Sequence, residues 1–199
     1  MGMKIYDISQ EVFSCEVYDG DPAPKREVLA STEKGDLYNL TAFYMCAHNG
    51  THVDAPKHFL DDGEGVDAIM LEKTVGYAYV CECKGAVNSN EAYSILQRAR
   101  AINAEAARRI LIKGNSTVLD DAAELFANEG LYLLGTELQT VGDEKSPMRA
   151  HKALLGAKTV LLEGIRLSDV EEGVYLLCAQ PLCLSDADGA PCRAILIEL

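Results

Sequence analysis

GYAYVCECKGAVNSNEAYSILQRARAI, residues 76–102, changes its period halfway along. The first ten residues carry Tyr77, Tyr79 and Val80 and have a glycine at each end, which predicts a strand. From Asn88 onward the apolar residues recur at helical spacing. Asn88, Ser89 or Asn90 can cap that helix, and Glu91 lies in its first turn. Strand followed at once by helix is the unit of an α/β fold. Downstream, RRILIKG (108–114) reads as a short buried strand. STVLDDAAELFANEG (116–130) reads as a helix ended by Gly130, with Leu119, Ala122, Ala123 and Phe126 on one side. LYLLGTE (131–137) is a strand, MRAHKALLGA (148–157) a short helix or turn, and KTVLLEGI (158–165) a strand. GVYLLCAQPLCL (173–184) and CRAILIEL (192–199) close the chain as strands. Upstream, KIYDIS (4–9) alternates as a strand, and NLTAFYMCAH (39–48) reads as a strand running into a histidine cluster. Strands outnumber helices and the helices lie in the middle. The expectation is one domain over residues 1–199, α/β or α+β, with a mixed sheet.

The net charge is 18 − 31 = −13, which argues against nucleic acid and anionic membrane surfaces as partners, since both need a basic face. No apolar run approaches the roughly 20 residues of a membrane span. The start MGMKIYDISQ has no apolar h-region. The seven cysteines are odd in number and lack any C-x-x-C pair. They read as reduced, buried thiols in a cytoplasmic protein rather than a structural zinc site.

Three of the four histidines fall in HNGTHVDAPKH, residues 48–58. The i, i+4 spacing of His48 and His52 would suit a helix, but Gly50, Thr51, Val53 and Pro56 oppose one. In an extended segment His48, Gly50, His52 and Asp54 share a face, with the glycine leaving room between the imidazoles. Two imidazoles and a carboxylate form a ligand set for zinc, manganese or iron. Cys46 extends that face and either ligates or packs beneath the site. Pro56 turns the chain and presents His58 from another angle, where it can act as general acid or base. Two other readings stand beside this one: chance clustering in a surface loop, and core histidines satisfied by hydrogen bonds. The fourth histidine, His151, and Glu163 at the end of an apolar run can complete a second metal position, with Asp54 bridging two ions.

HNGTHVDAPKHF resembles the signature H-x-G-T-H-x-D-x-P-x-H-F of the metal-dependent cyclase family, which includes bacterial kynurenine formamidase (arylformamidase) and isatin hydrolase. YDIS (6–9), DGDP (19–22), LLGTE (133–137), HKALL (151–155), LLEGIRL (161–167) and PLCLSDADGAPCRAIL (181–196) follow in the family's order. The resemblance implies a swivelling β/β/α domain and a homodimer or homotetramer. It implies one or two divalent ions, zinc first and manganese or iron as alternatives. His48, His52 and Asp54 would be ligands, Asp54, His151 and Glu163 would hold a second ion, and His58 would be the catalytic histidine. The chain has no tryptophan, so stacking on an aryl substrate falls to Tyr or Phe. Tyr18 and Asp19 of VYDGDP are substrate-binding candidates. The segment 137–150 is longer and more charged than in the formamidases. The expected chemistry is metal-assisted hydrolysis of an amide, formamide or lactam C–N bond of a small molecule. Bound water would become hydroxide as its pKa falls from about 15.7 towards roughly 7. G-x-S-x-G is absent, so serine hydrolysis has no support. A cyclase or dehydratase of a hydroxy- or keto-acid is the alternative. A non-catalytic metal- or ligand-binding protein is the third reading.

Overall fold

A computed structural model of the chain describes residues 2–143 and 147–198. Alternation along the central strands sets the layers. In β5 (Val75–Glu82) Tyr79 and Cys81 face one way, while Ala78 and Val80 face the other. β6 (Arg109–Lys113) repeats this with Ile110 and Ile112 against Leu111. Both faces are apolar because both are covered, as parallel strands require.

β5, β6, β7 (Leu133–Thr136) and β8 (Val160–Glu163) run parallel in that order. The crossovers carry α1 (Ser89–Ile102), α2 (Asp120–Asn128) and α3 (Met148–Gly156). Asn88 caps α1 by accepting the Glu91 amide at 3.0 Å. Ala92, Ile95, Leu96 and Ala99 form its buried stripe. All three helices pack on the face of Tyr79, Ile110, Leu134 and Leu161. Leu119 is the N-cap of α2 and stays partly exposed, so it does not share the buried side of Ala122, Ala123 and Phe126.

Antiparallel strands extend the sheet on both flanks. β9 (Gly173–Cys178), β11 (Ile195–Glu198) and β1 (Lys4–Asp7) follow β5; β4 (His52–Asp54) and β10 (Gly189–Pro191) follow β8. The face away from the helices gathers Val53, Leu162, Leu111, Leu177 and Leu196 from both flanks into one cluster. The sheet therefore curls, and the Arg166 amide donates to the Ile8 carbonyl at 2.9 Å. Among the described residues this is a mixed α/β architecture with eleven strands and three α-helices, the helices between 89 and 156.

Arg109 is buried at the start of β6, against the rule that keeps arginine outside. Its guanidinium donates to the carbonyls of Lys73 (3.2 Å), Tyr77 (3.1 Å) and Glu72. Gly76 is needed beside it, because a Cβ there would collide with the guanidinium.

Several expectations are corrected. The strand expected over 39–48 stops at Tyr44. As β3 (Leu40–Tyr44) it pairs, among the described residues, only with β2 (Lys25–Ala30), in a hairpin outside the main sheet. The strand expected over 173–184 ends at Cys178, and Pro181 beyond it makes an isolated bridge with Cys192. Only Cys81 and Cys83 of the seven free cysteines are fully buried, and Cys183 is exposed. Cys15, Cys46, Cys178 and Cys192 are half-buried, Cys192 packing against the core. Of segment 137–150, residues 144–146 lie outside the described residues.

Candidate metal centre

β4 is three residues long and lies between β8 and β10. In its antiparallel register His52 faces Glu163 and Asp54 faces Leu161. Side chains two apart share a face, so His52, Asp54 and Glu163 all point to the helical side, while Val53 enters the opposite core. α3 crosses above them and lowers His151 into the same space. All four are buried.

The extended face expected from His48 to Asp54 does not form. His48 lies in a turn, and Gly50 adopts φ +64, the left-handed region that favours glycine. Gly50 thus reverses the chain rather than merely leaving room. A Cβ at Gly50 would also press on Cys15. The turn folds His48 back over β4, so that its Nδ1 lies 2.9 Å from Asp54 Oδ1. Space for the ring comes from Gly189 across the sheet, where a Cβ would approach His48 Cε1 to 2.7 Å. Cys46 is not at the centre: its Sγ points to Asp21 at 3.9 Å, and its amide donates to Asn49 Oδ1.

The polar atoms converge in a particular sense. His52 Nδ1 donates to the Gly50 carbonyl and His151 Nδ1 to the Pro147 carbonyl, each at 2.9 Å. A neutral imidazole has one donor, so both Nε2 atoms present lone pairs to the carboxylates. His52 Nε2 is 3.3 Å from Asp54 and 3.4 Å from Glu163; His151 Nε2 is 3.6 Å and 3.3 Å from the same two. His52 Nε2 and Asp54 Oδ2 are buried without a hydrogen-bond partner among the described residues. Lone pairs facing buried carboxylates repel unless a cation sits between them. The cation is either a proton on imidazole or a metal ion, and the donor set of N and O atoms fits a divalent ion. One atom each from His52, Asp54 and Glu163 lie within 4.8 Å of one another, as do atoms from His48, Asp54 and His58. Asp54 belongs to both groups. Glu163, expected beside His151, is equally the neighbour of His52.

The four histidines separate electrostatically. Burial opposes charge on His48, His52 and His151, but carboxylates outweigh it, Asp54 and Asp188 at His48 and Asp54 and Glu163 at the other two, and hold these imidazoles above the usual histidine value. Burial likewise opposes charge on Asp54 and Glu163, and the surrounding histidines override it, keeping Asp54 well below the usual carboxylate range and Glu163 below it. His58 is the exception: burial lowers its pKa and no facing carboxylate reverses the shift. It sits at the end of the 3-10 turn Pro56–His58, stacked on His48 at 4.0 Å between centroids.

Residues 137–143 support the centre from below. The Val141 amide donates to Glu163 Oε1 at 2.6 Å, and Gln139 Nε2 donates to the Gly50 carbonyl at 3.1 Å. Tyr18 and Asp19 line a cavity of about 700 Å³ with Glu137, Gln139, Thr140 and Arg166, at the carboxyl ends of β7 and β8. Sequence reasoning missed Asp188, whose Oδ2 lies 2.8 Å from His48 Nε2. Its signal was the DG pair at 188–189, which reads equally well as a turn.

The sequence matches the family described as "Putative cyclase" over residues 6–122. It is 32% identical to the kynurenine formamidase of Erythrobacter litoralis (strain HTCC2594), over 98% of this chain and 94% of that protein. It is 30% identical to the kynurenine formamidase of Bacillus anthracis, over 97% of each. A solved structure described as a "potential metal-dependent hydrolase with cyclase activity" superposes with a TM-score of 0.82 at 26% identity, over 100% of this chain and 99% of the other. An isatin hydrolase bound to the product analogue thioisatinate superposes with a TM-score of 0.83 at 14% identity, over 98% and 92%, a likeness of fold alone. Matched over more than half its length and aligned with these relatives almost end to end, the chain belongs to the cyclase family.

Proposed function

We propose that this protein is a metal-dependent hydrolase of amide, formamide or lactam C–N bonds, with N-formyl arylamines as the leading substrate class. The observation that carries the reading is the pair of Nε2 lone pairs aimed at two buried carboxylates, beside one histidine of lowered pKa. His48, His52 and Asp54 would hold one divalent ion, and Asp54, His151 and Glu163 a second; zinc is the first expectation, with manganese or iron suited to the same donors. When bound, the ion supplies a Lewis acid and acidifies a coordinated water. His58, neutral near pH 7, takes a proton from the attacking water and returns it to the leaving nitrogen. Tyr18 and Asp19 would contact the substrate from the cavity wall, and the kynurenine formamidase relatives support an aryl group there.

A panel of N-formyl arylamines and lactams tests this. Turnover of at least one is expected with zinc, abolished by a chelator and restored by added zinc. No turnover on any of them would favour the second reading, a cyclase or dehydratase of a small hydroxy- or keto-acid, which the similar structure described with cyclase activity supports.

The chain is further proposed to act as one domain over residues 1–199 and as a homodimer or homotetramer. The β2–β3 hairpin stands outside the main sheet and exposes Leu37 (97%), Tyr38 (60%) and Phe43 (59%). An isolated two-stranded hairpin is marginal in water, and a contiguous apolar surface marks an interface. Light scattering is expected to give a dimer or larger, and Leu37→Glu with Tyr38→Glu to shift it to monomer. A wild-type monomer at micromolar concentration would contradict this. Among the described residues no helix is long and apolar enough to cross a membrane. The seven free thiols support a reducing, cytoplasmic location.

A further inference from the structure

Asp188 precedes β10. Its carbonyl accepts the Ala55 amide at 2.9 Å, and Gly189 pairs with Asp54 across the ladder. The backbone therefore sets the side chain over the end of β4, independently of what the carboxylate touches. One oxygen, Oδ2, lies 2.8 Å from His48 Nε2 and 3.3 Å from His58 Nδ1. The two rings are stacked, with 26° between their planes. Among the described residues Asp188 is the one polar partner of the His58 ring; its other neighbours are ring contacts, with Phe59 at 4.6 Å. His48 is gripped on both sides, by Asp54 at Nδ1 and by Asp188 at Nε2.

We propose that Asp188 is a positioning residue that ties His48 to His58 through a single carboxylate oxygen. For His48 this is the arrangement in which a metal-ligating imidazole donates its other N–H to a carboxylate, fixing ring and tautomer. For His58 the same oxygen lies 3.3 Å from Nδ1, a charge contact that favours a proton on that nitrogen and so Nε2 as the acceptor a general base needs. The stacked rings have no directional bond between them, so the shared oxygen sets their separation. The role rests on the reading that His58 moves the proton.

The test is a double-mutant cycle with zinc at saturation. Asp188→Ala is expected to lower kcat roughly 10- to 100-fold with KM little changed. In a His58→Ala background the same substitution is expected to change kcat by less than about twofold, because with zinc saturating its effect on His48 is offset and its effect on turnover passes through His58. Independently of turnover, competition with a chromophoric chelator is expected to show zinc bound about 10- to 100-fold more weakly. Asp188→Asn keeps the shape and is expected to move both readouts in the same direction, which guards against a folding defect. An equal loss of kcat in both backgrounds, or unchanged zinc affinity, would overturn the proposal. A His58→Ala enzyme with wild-type turnover would instead remove the reading of His58 on which it stands.

Discussion

His58→Ala is expected to keep the metal and lose the reaction. The ring is half-buried beside the centre, yet its polar contact is to Asp188, not to Asp54 or Glu163. Removing it leaves His52, Asp54, His151 and Glu163 in place, so zinc content by elemental analysis should match the wild type. Turnover should fall by about 10²–10⁴, the usual worth of a positioned acid–base group. Burial is the first cause of its lowered pKa, outweighing the attraction of Asp54. The neutral base is then present at pH 7, and its activity is lost only as the pH falls through that lowered value. A variant that loses metal along with activity would show His58 to be a ligand, as its membership of the His48–Asp54 group allows.

Asp54→Asn should do the opposite and empty the centre. Asp54 is fully buried and faces His48, His52 and His151. The amide keeps the volume but loses the charge, and its NH₂ opposes the imidazoles. Wild-type protein with metal at a thousand times Kd should gain about 4 kcal/mol, or roughly 8–16 °C in Tm for a chain of this size. The variant should gain nothing, and its turnover should drop at least about 10³-fold, the loss of several kcal/mol of Lewis-acid stabilisation. A wild-type metal-induced rise in Tm for Asp54→Asn would sink the assignment.

The same centre sets a pH dependence. In metal-free protein the raised histidines stabilise the fold fully below their unfolded value near 6.5 and lose that contribution as pH rises through the folded values. Asp54 and Glu163, with depressed values, contribute above roughly pH 4 and lose it as pH falls through the folded values. The Tm of chelated protein should therefore peak in mildly acidic buffer. A metal ion must displace the imidazole protons, so zinc affinity should climb with pH. A flat affinity between pH 5.5 and 8, on the order of the histidine range, would contradict the convergence of Nε2 atoms on one ion.

The histidine cluster was legible because its members are near neighbours in the chain, and few roles other than a metal site gather imidazoles with an alternating carboxylate. The turn at Gly50 was not, since a glycine in a strand-like run signals either space or a positive φ, and only the observed +64 decides. Strand β5 and helix α1 could be read from local period, which burial on one face enforces. β10 and the β2–β3 hairpin could not, because three-residue strands and exposed apolar hairpins carry no such period.

By itself the sequence determined the inventory: four histidines, a carboxylate two residues after His52, a strand ending abruptly in Glu163, and the alternation of helix and strand between 76 and 163. Tertiary structure alone decided which of these meet. The β4–β8 register sets Glu163 against His52 as well as His151, and the return of β10 brings Asp188 to His48 across 140 residues. Local sequence fixes period and turn propensity over a few residues, whereas strand order and register come from burying both faces of one curled sheet at once.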